Sequence, residues 1–139
     1  MRVKLRIIVP ILLLVLVLAV GAAAGCTPEE QEEEGSYTDI SAAEAKQLID
    51  GDPAVVIIDV SPAYAAGHLP GAVNYYLGDG SLDAAIPTLD EDATYLVYCH
   101  AEGPSRQGAQ KLVDAGFAYV YRLEGDYGAW VAAGYPTET

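Results

Sequence analysis

The stretch ATYLVYCHAEGPSRQGAQKLVDAGFAYVYRL, residues 93–123, decides how the chain folds. Ala93 to Cys99 is a short run rich in β-formers that reaches a single cysteine. Such a continuous apolar run suits a strand buried on both faces. Gly103 and Pro104 then turn the chain, and a helix is expected from Ser105 or Arg106 to Ala115. Ala109, Leu112 and Val113, with the aliphatic stem of Lys111, form the face that covers the sheet. Gly116 stands where helix C-termini favour glycine. AYVYRL, residues 118–123, is the next strand.

The same alternation extends outward. AVVIIDV, residues 54–60, is a second buried β run. Ahead of it, Ser41 and Glu44 have the spacing of a capping box. Ala45, Leu48 and Ile49 give that helix an apolar stripe, Gly51 is its expected stop, and Tyr37 to Ile40 fits a short edge strand. SPAYAAGHLPGAVNYYL, residues 61–77, reads as a short helix near Ala63–Ala66, a turn, and a brief strand at Val73–Asn74. SLDAAIPTL, residues 81–89, reads as a short helix capped by Ser81. DYGAWVAAG, residues 126–134, is a terminal helix ending at Gly134, before Pro136. Helices alternating with buried strands give an α/β fold with a central, mainly parallel sheet.

The N-terminus has a different character. Arg2, Lys4 and Arg6 precede an uncharged apolar run, residues 7–24, which small residues and Cys26 follow. This is the layout of a secretory signal peptide. An uncleaved membrane anchor and plain secretion after the alanines are the alternatives, and all three export the rest of the chain. Ala23-Ala24-Gly25-Cys26 resembles the lipobox of bacterial lipoproteins. That resemblance implies removal of residues 1–25 and a diacylglycerol on the Cys26 sulfur. It predicts a protein lipid-anchored to the extracytoplasmic face of a membrane. Residues 26–36 are acidic, lack apolar side chains, and form a flexible tether to a domain spanning 37–139.

Loss of Arg2, Lys4 and Arg6 takes the formal charge from −13 to −16, leaving Lys46, Arg106, Lys111 and Arg122 as the basic residues. So acidic a surface excludes nucleic acid as a partner, and electrostatic attraction to anionic lipid with it. With Cys26 acylated, Cys99 has no intramolecular partner. An unpaired cysteine in an exported protein is a candidate reactive thiol.

Its place sharpens the idea. In parallel sheets, ligands gather beyond the carboxyl ends of the strands, and Cys99 stands at such an end. Inward-facing amides of the following turn, backed by a helix N-terminus, make an anion nest that lowers a thiol pKa. Arg106 supports the thiolate and Glu102 opposes it. An inert core cysteine that merely ends a strand is the competing reading.

Several motifs in order resemble the rhodanese-like (sulfurtransferase) family: VVIIDV, YAAGHLPGAVN, YLVYC and LVDAGFAYVYRLEGDYGAWVAAGYP. The resemblance spans about Tyr37 to Pro136. It implies a three-layer α/β domain with a parallel sheet flanked by helices, and Cys99 carrying sulfane sulfur as a persulfide. His100, Ala101, Glu102, Gly103, Pro104, Ser105 and Arg106 would form the substrate-binding loop. A donor such as thiosulfate, polysulfide or a persulfide would load Cys99. A thiol or cyanide would unload it, with no metal or organic cofactor. Ser61 stands where the family commonly has Arg after Asp-Val. The loop is also longer than the family's commonest one, which predicts a wider cradle. Phosphatases of the same fold use a C-x5-R spacing, whereas this chain has C-x6-R.

Three function classes therefore stand: a sulfurtransferase, a non-catalytic binding or sulfur-carrier lipoprotein, and a phosphatase- or arsenate-reductase-like oxyanion enzyme. His68 reads as a structural histidine of the GHLPG turn, supporting the site from the scaffold. His100 either lines the pocket mouth or faces solvent. Asp59 either orients the active-site loop by accepting backbone hydrogen bonds or simply ends its strand. Two histidines make no convincing metal site.

Overall fold

A computed structural model describes residues 35–139. The expected signal peptide, Cys26 and most of the expected acidic tether lie outside the described residues. Within them, β1 (Thr38–Ile40), α1 (Ala42–Gly51), β2 (Val56–Asp59), β3 (Val73–Asn74), α2 (Ser81–Ala85), β4 (Thr94–Tyr98), α3 (Glu102–Asp114), β5 (Tyr119–Leu123) and α4 (Asp126–Ala132) follow in order. Single 3₁₀ turns form at Tyr64–Ala66, Leu77–Asp79 and Ile86–Thr88.

All four strand pairings are parallel, and the sheet order is β1-β5-β4-β2-β3. The two strongest β runs, β2 and β4, lie adjacent at its middle, with Ile58 opposite Val97. Alternation along β4 sends Leu96 and Tyr98 to one face, where they join Ala45 of α1 and Trp130 of α4 in one core cluster. Val97 and Cys99 face the other way, into a cluster with Ala109 and Leu112 of α3 and Leu82 of α2. Helices on both faces of a parallel sheet make the three layers expected from the sequence.

Two local readings need correction. α3 begins at Glu102, earlier than the expected Ser105 or Arg106. Pro104 falls in the first helical turn, where backbone N–H groups have no intrahelical partner, so its missing donor costs the helix nothing. The residues from Glu102 onward are thus helix rather than loop. Ser81, expected to cap α2, is instead its first residue. The Asp79 carboxylate caps that turn, accepting from the Ser81 N–H at 2.9 Å and the Ser81 hydroxyl at 2.5 Å. The Ser41–Glu44 capping box is present: the Ser41 N–H donates to Glu44 Oε2 at 2.8 Å, and the Glu44 N–H to Ser41 Oγ at 3.3 Å.

Candidate active site

Cys99 follows β4 directly and precedes the first turn of α3 by two residues. Its side chain points from the sheet toward α3, and the residue is only 3% exposed. Burial pushes the thiol above its ordinary range. The backbone of Ala101 and of His100 pulls it down, while the carboxylates of Asp126 and Asp59 push it further up. The net direction is upward, opposite to the sequence-based expectation of a thiol held ionised. Burial and two neighbouring acids outweigh the lowering by the two backbone groups. Arg106 supplies no compensation, because its guanidinium is exposed and faces Glu102 at 3.8 Å.

The expected binding loop divides in two. His100 and Ala101 form the connection, whereas Glu102, Gly103, Pro104, Ser105 and Arg106 belong to α3. Glu102 and Arg106 stay on the surface. Ser105 turns inward, donating to the Glu102 carbonyl at 2.9 Å and accepting from the Arg122 guanidinium at 3.3 Å.

His100 lines the site. Its Nε2 lies 3.1 Å from the Gly67 carbonyl, which only accepts, so that nitrogen carries the proton. The same Nε2 is 3.7 Å from Asp59 Oδ2, and the ring stacks on Tyr127 with centroids 4.2 Å apart. Gly67 has φ +154°, and a Cβ there would collide with the Tyr127 hydroxyl, so only glycine lets the two segments meet. Asp59 is fully buried and accepts the Ser61 N–H at 2.7 Å, while its Oδ2 lacks a hydrogen bond. It therefore orders its own turn and presents a carboxylate oxygen to His100. His68 is buried away from solvent, with Nδ1 3.0 Å from the Tyr64 carbonyl and its ring stacked on Tyr64 at 3.7 Å. Its backbone pairs with Glu138, which ties the C-terminal segment to the GHLPG turn.

Two residues that the sequence did not flag complete the surroundings. Asp126 Oδ1 accepts the Cys99 N–H at 3.0 Å, and the Tyr127 N–H donates to the Cys99 carbonyl at 3.0 Å. Arg122, fully buried on β5, donates to Asp39 at 2.6 Å and reaches Asp126 Oδ2 at 3.9 Å. The available signal was an arginine inside the buried run AYVYRL, which demands an acid nearby.

The family model for the rhodanese-like domain matches residues 41–133. The chain belongs to the rhodanese-like domain family. This rhodanese-like domain is 38% identical over 86 residues to the thiosulfate sulfurtransferase GlpE of Pseudomonas entomophila (strain L48), covering 60% of this chain and 76% of that protein. The solution structure of the rhodanese-like domain of the Anabaena sp. Alr3790 protein has a TM-score of 0.66 at 33% identity, covering 74% of this chain and 80% of that one. The Rhodopseudomonas palustris CGA009 protein RPA3614, described as a possible tyrosine phosphatase, has a TM-score of 0.65 at 29% identity, covering 73% and 85%.

Proposed function

We propose that this rhodanese-like domain is a sulfurtransferase that moves sulfane sulfur through a persulfide on Cys99. The observation that carries the reading is a free thiol that directly follows β4 and lies just ahead of the N-terminus of α3. In the first step the Cys99 thiolate attacks the outer sulfur of the donor. An S–S bond forms to Cys99 and the donor's own bond to that sulfur breaks, so thiosulfate leaves as sulfite with the electron pair. In the second step a thiolate or cyanide attacks the terminal sulfur and the Cys99 thiolate leaves. The amides of His100 and Ala101 would hold the sulfur that carries the charge.

Two buried carboxylates beside the sulfur and an acidic chain oppose a dianion. They favour donors whose transferred sulfur sits on a neutral or singly charged carrier, such as a low-molecular-weight persulfide, over thiosulfate. The lipobox supports a second element of the proposal: Cys26 carries the lipid that holds the domain at the extracytoplasmic face of a membrane. The raised thiol favours one alternative, a slow sulfur carrier rather than a turnover enzyme.

The test is the intact mass of the purified full-length chain after incubation with thiosulfate, polysulfide or glutathione persulfide. One added sulfur atom, absent in Cys99→Ser, supports the reading, and release of that atom to cyanide as thiocyanate in repeated cycles supports turnover. No adduct with any donor overturns it. Cys99-dependent hydrolysis of an aryl phosphate would instead place the chain with the phosphatases. For the anchor, Cys26→Ala is expected to release the protein from membranes or block its processing.

A further inference from the structure

The start of α4 grips the nucleophile's own peptide. Asp126 Oδ1 takes the Cys99 N–H and the Tyr127 N–H takes the Cys99 carbonyl, each at 3.0 Å. Two adjacent residues thus hold both backbone groups of the residue that closes β4. The Tyr127 ring then stacks on His100, the next residue of the loop. To make this grip Asp126 adopts φ +57°, the only non-glycine residue with positive φ among the described residues. Aspartate is tolerated there but not favoured, and a strained conformation persists where surrounding contacts over-determine it.

The contacts that hold Asp126 are visible. It is 2% exposed, and Arg122 approaches its Oδ2 at 3.9 Å. Arg122 is itself fixed by Asp39 at 2.6 Å on β1 and by the Ser105 hydroxyl at 3.3 Å on α3. The chain of contacts therefore runs from the sheet edge, through Arg122 and Asp126, to the peptide of Cys99. A turn at this point needs none of these side chains, since glycine would adopt the same φ without them.

We propose that Asp126, aimed by Arg122, is a positioning residue for sulfur transfer: it fixes the Cys99 peptide so that the next two amides turn onto the sulfur, and its negative charge opposes the thiolate. The proposal rests on Cys99 being the sulfur-carrying residue. With the Cys99 N–H engaged by Asp126, the backbone groups that favour the thiolate are those of His100 and Ala101. The charged and titratable groups facing this junction are Asp59 on β2, His100 in the loop, Glu102 on α3, Arg122 on β5, and Asp126 itself. Among them Asp126 alone bonds the Cys99 backbone through its side chain.

Two substitutions separate position from charge. Asp126→Asn keeps an oxygen acceptor for the Cys99 N–H, tolerates the left-handed φ, and removes the charge. Asp126→Gly suits the φ and removes both. The full-length chain is alkylated with iodoacetamide across a pH series, and the tryptic peptide Gln47–Arg106, which contains Cys99 and excludes Cys26, is quantified by mass. In Asp126→Asn the midpoint of the alkylation profile is expected to move to lower pH, with the rate at neutral pH rising about threefold or more. Sulfur release to cyanide from the loaded protein should fall about tenfold or more in Asp126→Gly, the effect of one lost bond to a buried amide. It should stay within about threefold of the original chain in Asp126→Asn, where that bond is kept. Circular dichroism checks that both variants are folded.

An alkylation midpoint unmoved in Asp126→Asn, or sulfur release at the original rate in Asp126→Gly, overturns the proposal and leaves Asp126 a turn residue. Alkylation needs no sulfur donor, so its outcome stands apart from the sulfurtransferase reading. If the original chain takes no sulfur at all, that reading fails while the charge of Asp126 is still measured.

Discussion

At the scale of the residue, the chemistry turns on which neighbours of Cys99 prevail. Two amides favour the thiolate, while burial and the Asp126 and Asp59 carboxylates favour the thiol, and the thiol is raised. The sign for reactivity follows directly. The thiolate is the nucleophile, so a raised thiol is mostly protonated at neutral pH, and its reactive fraction grows with pH. Alkylation of Cys99 should therefore climb about tenfold per pH unit through the neutral range and level off only above ~8.5, the free-thiol value. A plateau already reached at neutral pH would show that the two amides dominate.

At the scale of the element, short segments carry the site because their ends are fixed. The capping box starts α1 just after the edge strand β1, which bears the Asp39 that holds Arg122. Ser41→Ala removes that cap and should cost about 1 kcal/mol. The corresponding fall of about 4–8 °C in Tm is measurable by a thermal melt. The 61–77 segment acts differently. Gly67 offers its carbonyl to His100 and leaves room for the Tyr127 hydroxyl. Gly67→Ala should force Tyr127 off the His100 ring, so sulfur release to cyanide should drop several-fold even at temperatures where the variant remains folded. Equal rates would show that the His100–Tyr127 stack is dispensable.

At the scale of the whole molecule, charge and packing set the outcome. The chain bears a formal charge of −13, which repels an anionic donor at long range and is screened beyond about 10 Å at 0.1 M salt. Loading by thiosulfate should accelerate between about 0.02 and about 0.5 M salt, while loading by a neutral organic persulfide should not. Stopped-flow or quenched mass measurements at the two salt concentrations distinguish the cases. Packing is concentrated at Trp130, which is 1% exposed and donates its indole N–H to the Pro136 carbonyl at 2.8 Å. This contact, with the His68–Glu138 backbone pairing, binds the C-terminal segment to the body of the domain. Trp130→Ala should lose about 3–5 kcal/mol by denaturant titration.

Periodicity made the architecture legible before any coordinates. The buried runs of β2, β4 and β5, the capped α1 and the glycine-closed α3 each announce themselves, because strand burial and helix capping are local properties of the chain. The position of Cys99 at the lip of a strand was legible for the same reason. The start of α3 was not, because Gly103 and Pro104 look like a turn until the helix is seen to need no N–H at Pro104. The ionisation of Cys99 also lay beyond the sequence, since it is decided first by burial between the sheet and α3, and then by the Ala101 and His100 backbone and the Asp126 and Asp59 carboxylates that folding brings near. Sequence thus determined the strands and helices of this protein and the place of Cys99 at a strand end. Tertiary structure alone decided the grip on Cys99, because Arg122 and Asp126 meet it only when β5 and α4 fold back against the end of β4.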